Sequence, residues 1–245
     1  MARVEDASKH GRGGRAVDAV FFDLFGTLLE LGALADDCES AAPGRGHELA
    51  ARWRMRQLEF SWLRTTMGTF VDFDRVTVDA LEAAVAELGL ELAPATVATL
   101  ASAFERLPIA PAAAVALERL RSSGVRTGVL TNGSQRTLAR VIARTGLERL
   151  LDDALSVDAV GRFKPDPAVY RLACEKSGVE AARIGFVTAN GWDAAGAASF
   201  GFRVAWLRSD PSVPFPRVGA PSPAIATWES LHDLLVSYDG STSNT

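Results

Sequence analysis

Among 245 residues there are only two cysteines, three histidines and two tyrosines, and lysine occurs only at Lys9, Lys164 and Lys176. The cysteines, Cys38 and Cys174, lie far apart and fit no metal or redox spacing, so they read as reduced, buried thiols of a cytosolic (cytoplasmic) protein. No apolar run approaches the ~18 residues that a membrane span needs. Met1 to Arg15 is polar and rich in Gly and Arg, without the apolar stretch of a secretory signal, so residues 1–15 are expected to form a disordered leader. The polar tail, 238–245, is expected to be disordered too. Lys and Arg (26) do not outnumber Asp and Glu (30), and the net charge is −4. That balance argues against nucleic acid and against an anionic membrane as partner. Any anionic ligand must therefore be met by positive charge placed locally.

A chain with 48% hydrophobic and 23% charged residues can bury a substantial core. Val17 to Phe22 is a mostly apolar run that ends at Asp23, with Gly26-Thr27 beyond it. This reads as a buried strand delivering a carboxylate into a tight turn. Further strands are predicted at Thr127 to Leu130, Ile184 to Val187 and Arg203 to Leu207, alternating with helices at Ala112 to Ser122, Gln135 to Thr145 and Asp166 to Ser177. Alternation at this spacing predicts an α/β fold, a Rossmann-like parallel sheet with helices on both faces. The core is assigned to 16–33 and 108–237. Between these pieces, 34–107 breaks the rhythm with helices near His47 to Met67, Arg75 to Leu88 and Pro94 to Arg106. It is expected to be an all-helical cap over the C-terminal edge of the sheet, where ligands of open α/β sheets bind. Ser209 to Ala224, rich in Pro and Ser, is expected to be a surface loop.

Asp23-Leu24-Phe25-Gly26-Thr27-Leu28 resembles the first signature of the haloacid dehalogenase (HAD) superfamily, Asp-x-x-Gly-Thr-Leu after a strand. Thr131-Asn132-Gly133, Lys164-Pro165-Asp166 and Asn190-Gly191-Trp192-Asp193 then match the second, third and fourth motifs in order. One such segment arises easily by chance; an ordered set of four does not. The resemblance implies a HAD-type core with an inserted helical cap. Within the superfamily, magnesium-dependent phosphatases carry a second Asp two residues after the nucleophile, where this chain has Phe25. They also carry acidic residues after the fourth strand, where it has Thr188, Ala189 and Asn190, leaving only Asp193. Phosphonatases of the superfamily use a cap lysine, and 34–107 contains none. A departing halide needs neither a proton nor a metal ion. Trp53-Arg54, Gln57-Leu58-Glu59-Phe60 and Trp62-Leu63-Arg64 resemble the cap helix of L-2-haloacid dehalogenases, and the likeness extends from about Val17 to Leu235.

That resemblance implies hydrolysis of a small anionic (S)-2-haloacid to the (R)-2-hydroxyacid through an ester on Asp23, with no cofactor and no metal. It gives catalytic roles to Asp23, Thr27, Arg54, Lys164, Thr188, Asn190 and Asp193. Leu24, Phe25, Arg54, Leu58, Phe73, Thr131, Asn132, Tyr170 and Trp192 would bind substrate. It also implies a homodimer. Without the resemblance Arg54 reads as one more exposed arginine on a helix crowded by Arg52, Arg56 and Arg64, and Thr131-Asn132-Gly133 as a plain turn. Leu58, Phe73 and Trp192 could equally be core, as could Tyr170. The chain departs from the family at Phe25 (often Tyr), at Thr131 and Thr188 (often Ser) and at Met55 (often Gln), which leaves the activity class intact and the substrate range open. Alternative readings keep the scaffold but change the bond, to a strained C–N ring or a phosphate monoester, or retain it only for binding. A dehalogenase on the α/β-hydrolase fold would need a histidine base, and His10, His47 and His232 lack the context.

Overall fold

β1 (Ala19–Phe22) is wholly buried and pairs in parallel on both edges, with β2 (Arg126–Thr131) and with β4 (Ile184–Thr188). In this computed structural model, which describes residues 15–208, 210 and 212–237, the sheet continues outward through β3 (Asp153–Ser156) on one side. On the other it continues through β5 (Arg203–Leu207) and β6 (Ala224–Ala226). All six strands run parallel in the order β3-β2-β1-β4-β5-β6. The chain moves outward from β1 on one side and returns to its other side at β4. That reversal opens a crevice at the C-terminal ends of the two innermost neighbours, directly above Asp23. The predicted leader (all but Arg15) and the tail 238–245 lie outside the described residues.

The four strands expected from the sequence are present. β3 and β6 escaped the reading because each is short and lies at an edge: Ile225 of β6 is 61% exposed, so neither strand has the apolar run of a central one.

Between β1 and β2 the chain forms α1 (Gly32–Ala41), α2 (Gly46–Met67), α3 (Phe73–Glu87) and α4 (Pro94–Ala101), followed by a 3₁₀ turn, Ser102–Glu105. α1 was not expected, since its buried stripe is only Leu34 and Cys38 among acidic and small residues. The helix expected at Pro94 to Arg106 tightens into the 3₁₀ turn after Ala101. Trp53 of α2 is fully buried, donates from Nε1 to the Thr77 carbonyl (2.8 Å) and meets Phe104 edge-on. The chain leaves and re-joins the sheet layer along two adjacent connectors, clasped by Glu30 N–H to Pro108 O (2.9 Å) and Ala110 N–H to Leu28 O (2.9 Å).

In the layered core α5 (Pro111–Ser122) precedes β2, and α6 (Gln135–Thr145), α7 (Pro167–Ser177), α8 (Gly191–Phe200) and α9 (Leu231–Leu235) follow it. Asp166 caps α7 by accepting from Ala168 N–H (2.8 Å), and Pro167 takes the first helical position. The cap stabilises the helix by about 1 kcal/mol, and it fixes the turn in which Lys164 stands. Cys38 is buried and Cys174 half-buried, both as free thiols. Among the described residues, no helix is long and apolar enough to cross a membrane.

Candidate active site

Asp23 follows the last residue of β1, and its backbone N–H still bonds across to Val187 O (2.9 Å). Gly26, at φ +82°, supplies the left-handed residue that the turn requires. The turn brings Thr27 back beneath the carboxylate, where its Oγ1 donates to Asp23 Oδ2 (3.1 Å). Asn190 Nδ2 donates to the same oxygen (2.7 Å) and to Phe25 O (3.1 Å). Asn190 is held by Thr188, whose Oγ1 accepts from its backbone N–H (3.0 Å).

Lys164 is fully buried and lies between two carboxylates, with Nζ 3.1 Å from Asp23 Oδ1 and 2.8 Å from Asp193 Oδ2. Burial alone would push its ammonium down, but Asp193 and then Asp23 outweigh that and hold it above the ordinary lysine value. Burial pushes the Asp193 carboxyl up to about 6; Lys164 opposes the shift and the like charge of Asp23 adds to it. Tyr170 donates to Asp193 Oδ1 (2.8 Å). Its phenol, buried beside that anion, is pushed well above the usual range and stays a donor.

Above Asp23 is a small cavity of about 10 Å³, lined by Asp23, Phe25, Arg54, Phe73, Thr131, Asn132 and Trp192. It brings together seven residues from five separate parts of the chain. Asn132 Oδ1 accepts from Lys164 N–H (2.9 Å), while its Nδ2 is buried without a partner, as is Nε1 of Trp192. Burial pushes the Arg54 guanidinium down, and the charges of Asp23 and Asp193 partly offset this. One carboxylate thus shares a wall with the Arg54 guanidinium and with two buried donors, Asn132 Nδ2 and Trp192 Nε1, that lack acceptors. Such a wall suits an anion, because an unsatisfied buried donor is costly until something accepts from it. Gly133 keeps this wall close to Phe25: a Cβ there would stand 2.8 Å from the Phe25 ring.

Comparison with known proteins gives the family. The sequence profile of haloacid dehalogenase-like hydrolases matches residues 17–201. The chain belongs to that family. An (S)-2-haloacid dehalogenase of Pseudomonas sp. (strain YL) is 40% identical over 191 residues, covering 78% of this chain and 82% of the relative. An (S)-2-haloacid dehalogenase of Xanthobacter autotrophicus is 42% identical over 189 residues, covering 77% and 74%. Among solved structures, that of an L-2-haloacid dehalogenase superposes with TM-score 0.85 at 36% identity, over 90% of this chain and 99% of the other. A Xanthobacter autotrophicus L-2-haloacid dehalogenase with chloropropionic acid covalently bound superposes with TM-score 0.81 at 35% identity, covering 89% and 98%.

Within this haloacid dehalogenase-like site, three expected substrate contacts are placed differently from the cavity-lining group. Tyr170 is fully buried behind Asp193 and does not line the cavity. Leu58 is half-buried, about one turn beyond Arg54, and does not line it either. The Leu24 side chain is fully buried in the core, which leaves only its backbone for a ligand. Magnesium, used by phosphatases of the superfamily, does not fit these donors. Both carboxylates close on one ammonium, Asp193 also accepts from Tyr170, and no group of three His, Cys, Asp or Glu among the described residues could hold a metal ion.

Gln57 and Thr77 went unassigned by sequence reasoning. Gln57 Oε1 accepts from Arg54 Nη1 (2.6 Å), Gln57 Nε2 donates to Thr77 Oγ1 (2.6 Å), and Thr77 Oγ1 donates to Phe73 O (2.7 Å). Both side chains are buried. The available signal was a Gln three residues after Arg54, on the helix face shared with Trp53 and Ser61. A second such contact is Asp74, which accepts from Ser134 (2.7 Å), Thr137 (2.8 Å) and Arg136 (2.8 Å) and ties α3 to the start of α6.

The raised Asp193 carboxyl gives a pH prediction. Below about pH 6 it gains a proton and is no longer a base, so a turnover that uses it as one should fall about tenfold per pH unit on that limb. The Tyr170 hydrogen bond favours the charged form of Asp193. Tyr170→Phe should therefore move the limb to higher pH. A pH–rate profile on the variant checks this, and an unmoved or acid-shifted limb would be incompatible with it.

Proposed function

We propose that the protein hydrolyses short (S)-2-haloacids to (R)-2-hydroxyacids through an aspartyl ester, without a metal ion. The observation that carries this is the buried Asp23 carboxylate facing unpartnered donors across a small cavity, with Phe25 where a phosphatase needs an acid. The names of the relatives at 40% and 42% identity, and the covalent adduct named for the solved structure, support it.

In the first step a carboxylate oxygen of Asp23 bonds to C2 from behind the C–X bond, and the halide leaves with the bonding pair. Substrate and nucleophile are both anions; at 4 Å they repel by ~4 kcal/mol at an effective dielectric of 20. Lys164 and Arg54 offset that repulsion. Arg54, Asn132 and Trp192 would receive the halide, and Thr131 with the backbone at Leu24 and Phe25 the substrate carboxylate; Phe73 would bound its apolar side. In the second step water adds to the Asp23 ester carbonyl, and its proton passes to Asp193. Collapse of the adduct expels the C2 alkoxide, which takes up that proton, and the other proton of the water leaves the Asp23 carboxyl for solvent, restoring the carboxylate. Thr27, Thr188 and Asn190 hold the ester carbonyl and water in place. Residues 34–107 act as a cap that closes the site. Met55, Leu63 and Met67, all exposed, would face a second copy in a homodimer, which a one-chain mass by light scattering would refute.

Halide release from (S)-2-chloropropionate, and not from the (R) form, is the expected result, with the same rate in EDTA and in magnesium. Activity lost in chelator and restored by magnesium would refute the metal-independent route. Phosphate release from monoesters would favour the phosphatase reading.

A further inference from the structure

The cavity at Asp23 has room for about one water, since a water needs roughly 10–15 Å³. A 2-haloacid can reach it only if a wall residue moves. Five of the seven lining residues, Asp23, Phe25, Phe73, Thr131 and Asn132, are buried. Arg54 is partly exposed but is held by Gln57. Trp192 is also partly exposed; its Nε1 has no partner, and its ring contact is edge-on against Trp62, itself 37% exposed.

Trp192 also lines a second space. On its outer side is a groove of about 740 Å³ between the end of α2 (Trp62, Thr66) and the α7–α8 face (Arg171, Ser199). Arg171 is exposed and makes no ion pair among the described residues. Among the described residues, the one acid lining the groove, Asp166, is engaged by Arg162 (3.2 Å) and by the α7 cap. The groove is therefore apolar, open to solvent and marked by one uncommitted cation. A short haloalkanoate has the same two characters, an apolar body and one negative charge.

We propose that this groove is the antechamber of the catalytic cavity: the anionic 2-haloacid is recruited there by Arg171 and passes to Asp23 when Trp192 swings aside. The inference rests on the dehalogenase reading above. Lodging substrate here concentrates it beside its only partly exposed, unpinned partition, and a single exposed cation acts mainly on the association rate.

The test measures steady-state halide release from 2-chloropropionate by the full chain. Thr66→Trp and Ser199→Trp fill the groove at exposed positions outside the catalytic machinery. Each should lower kcat/KM by about tenfold. Val78→Trp, filling the separate chamber beyond Phe25 and Phe73, should leave it unchanged. Arg171→Glu should lower kcat/KM by about tenfold at low ionic strength, and the loss should vanish near 0.5 M salt, as screening requires. Should the tryptophan variants not fold, the salt-dependent loss at exposed Arg171 still decides the matter. Wild-type kcat/KM in both groove variants and in Arg171→Glu, or a loss confined to Val78→Trp, overturns the antechamber. A wild-type chain that releases no halide from any 2-haloacid overturns the reaction itself, and is thereby distinguished.

Discussion

Replacing Asp23 by asparagine should reduce turnover by about 10⁴-fold or more, because a neutral amide cannot displace a halide and no second carboxylate among the described residues lines the cavity. Asp193 cannot substitute for it, being fully buried and held by both Lys164 and Tyr170. The fold should survive. The change removes a like charge near Asp193; the amide oxygen can still accept from Thr27 and Asn190, while its NH2 takes the place of the oxygen that accepted from Lys164. Losing that like charge should also lower the Asp193 carboxyl below about 6, which NMR titration of the inactive variant can follow. A companion experiment uses the wild type. After one turnover in ¹⁸O-water the label should be in Asp23 and not in the hydroxyacid, since the product oxygen comes from the carboxylate. Label found directly in product, with Asp23 unlabelled, would show that water attacks C2 itself.

Lys164→Met should be the most damaging single change at the site for activity and stability together. It leaves Asp23 and Asp193 buried beside each other without their shared cation. Removing one member of a buried ion pair costs about 3–5 kcal/mol, most of it the uncompensated charge. Turnover should fall by about 10²–10³-fold, the scale of losing one fixed electrostatic contact to the reacting groups. Without Lys164, the group that opposes its upward shift, Asp193 should titrate above 6, and residual activity should survive only at higher pH. Arginine should not rescue, because the ammonium has no exposure and the wider, planar guanidinium has no room. Urea denaturation and a pH–rate profile together check this. A variant as stable as wild type, with an unmoved limb, would mean that the two carboxylates do not depend on this lysine.

The parts of the site that were legible share a feature: each is local. Asp23 with its Gly26-Thr27 turn, Lys164 before a capped helix, and Asn190 with Asp193 at a strand end are short segments whose chemistry shows in a few adjacent letters. The central strands were legible for a related reason, since a strand buried on both faces must be continuously apolar. β3, β6 and α1 were not, because edge elements satisfy only part of their surface by burial and carry no comparable pattern.

The sequence by itself determined the order of the nucleophile, cation and second carboxylate along an alternating α/β chain, and the absence of a second acid at Phe25. Only the tertiary structure decided that Gln57 and Thr77 hold Arg54 beside Asp23, and that Tyr170 serves Asp193 and lies off the cavity wall. It also decided that Trp192 stands between two spaces. The physical reason is that hydrogen bonds and cavities arise between segments distant in sequence, where no periodicity or spacing encodes which side chains will meet.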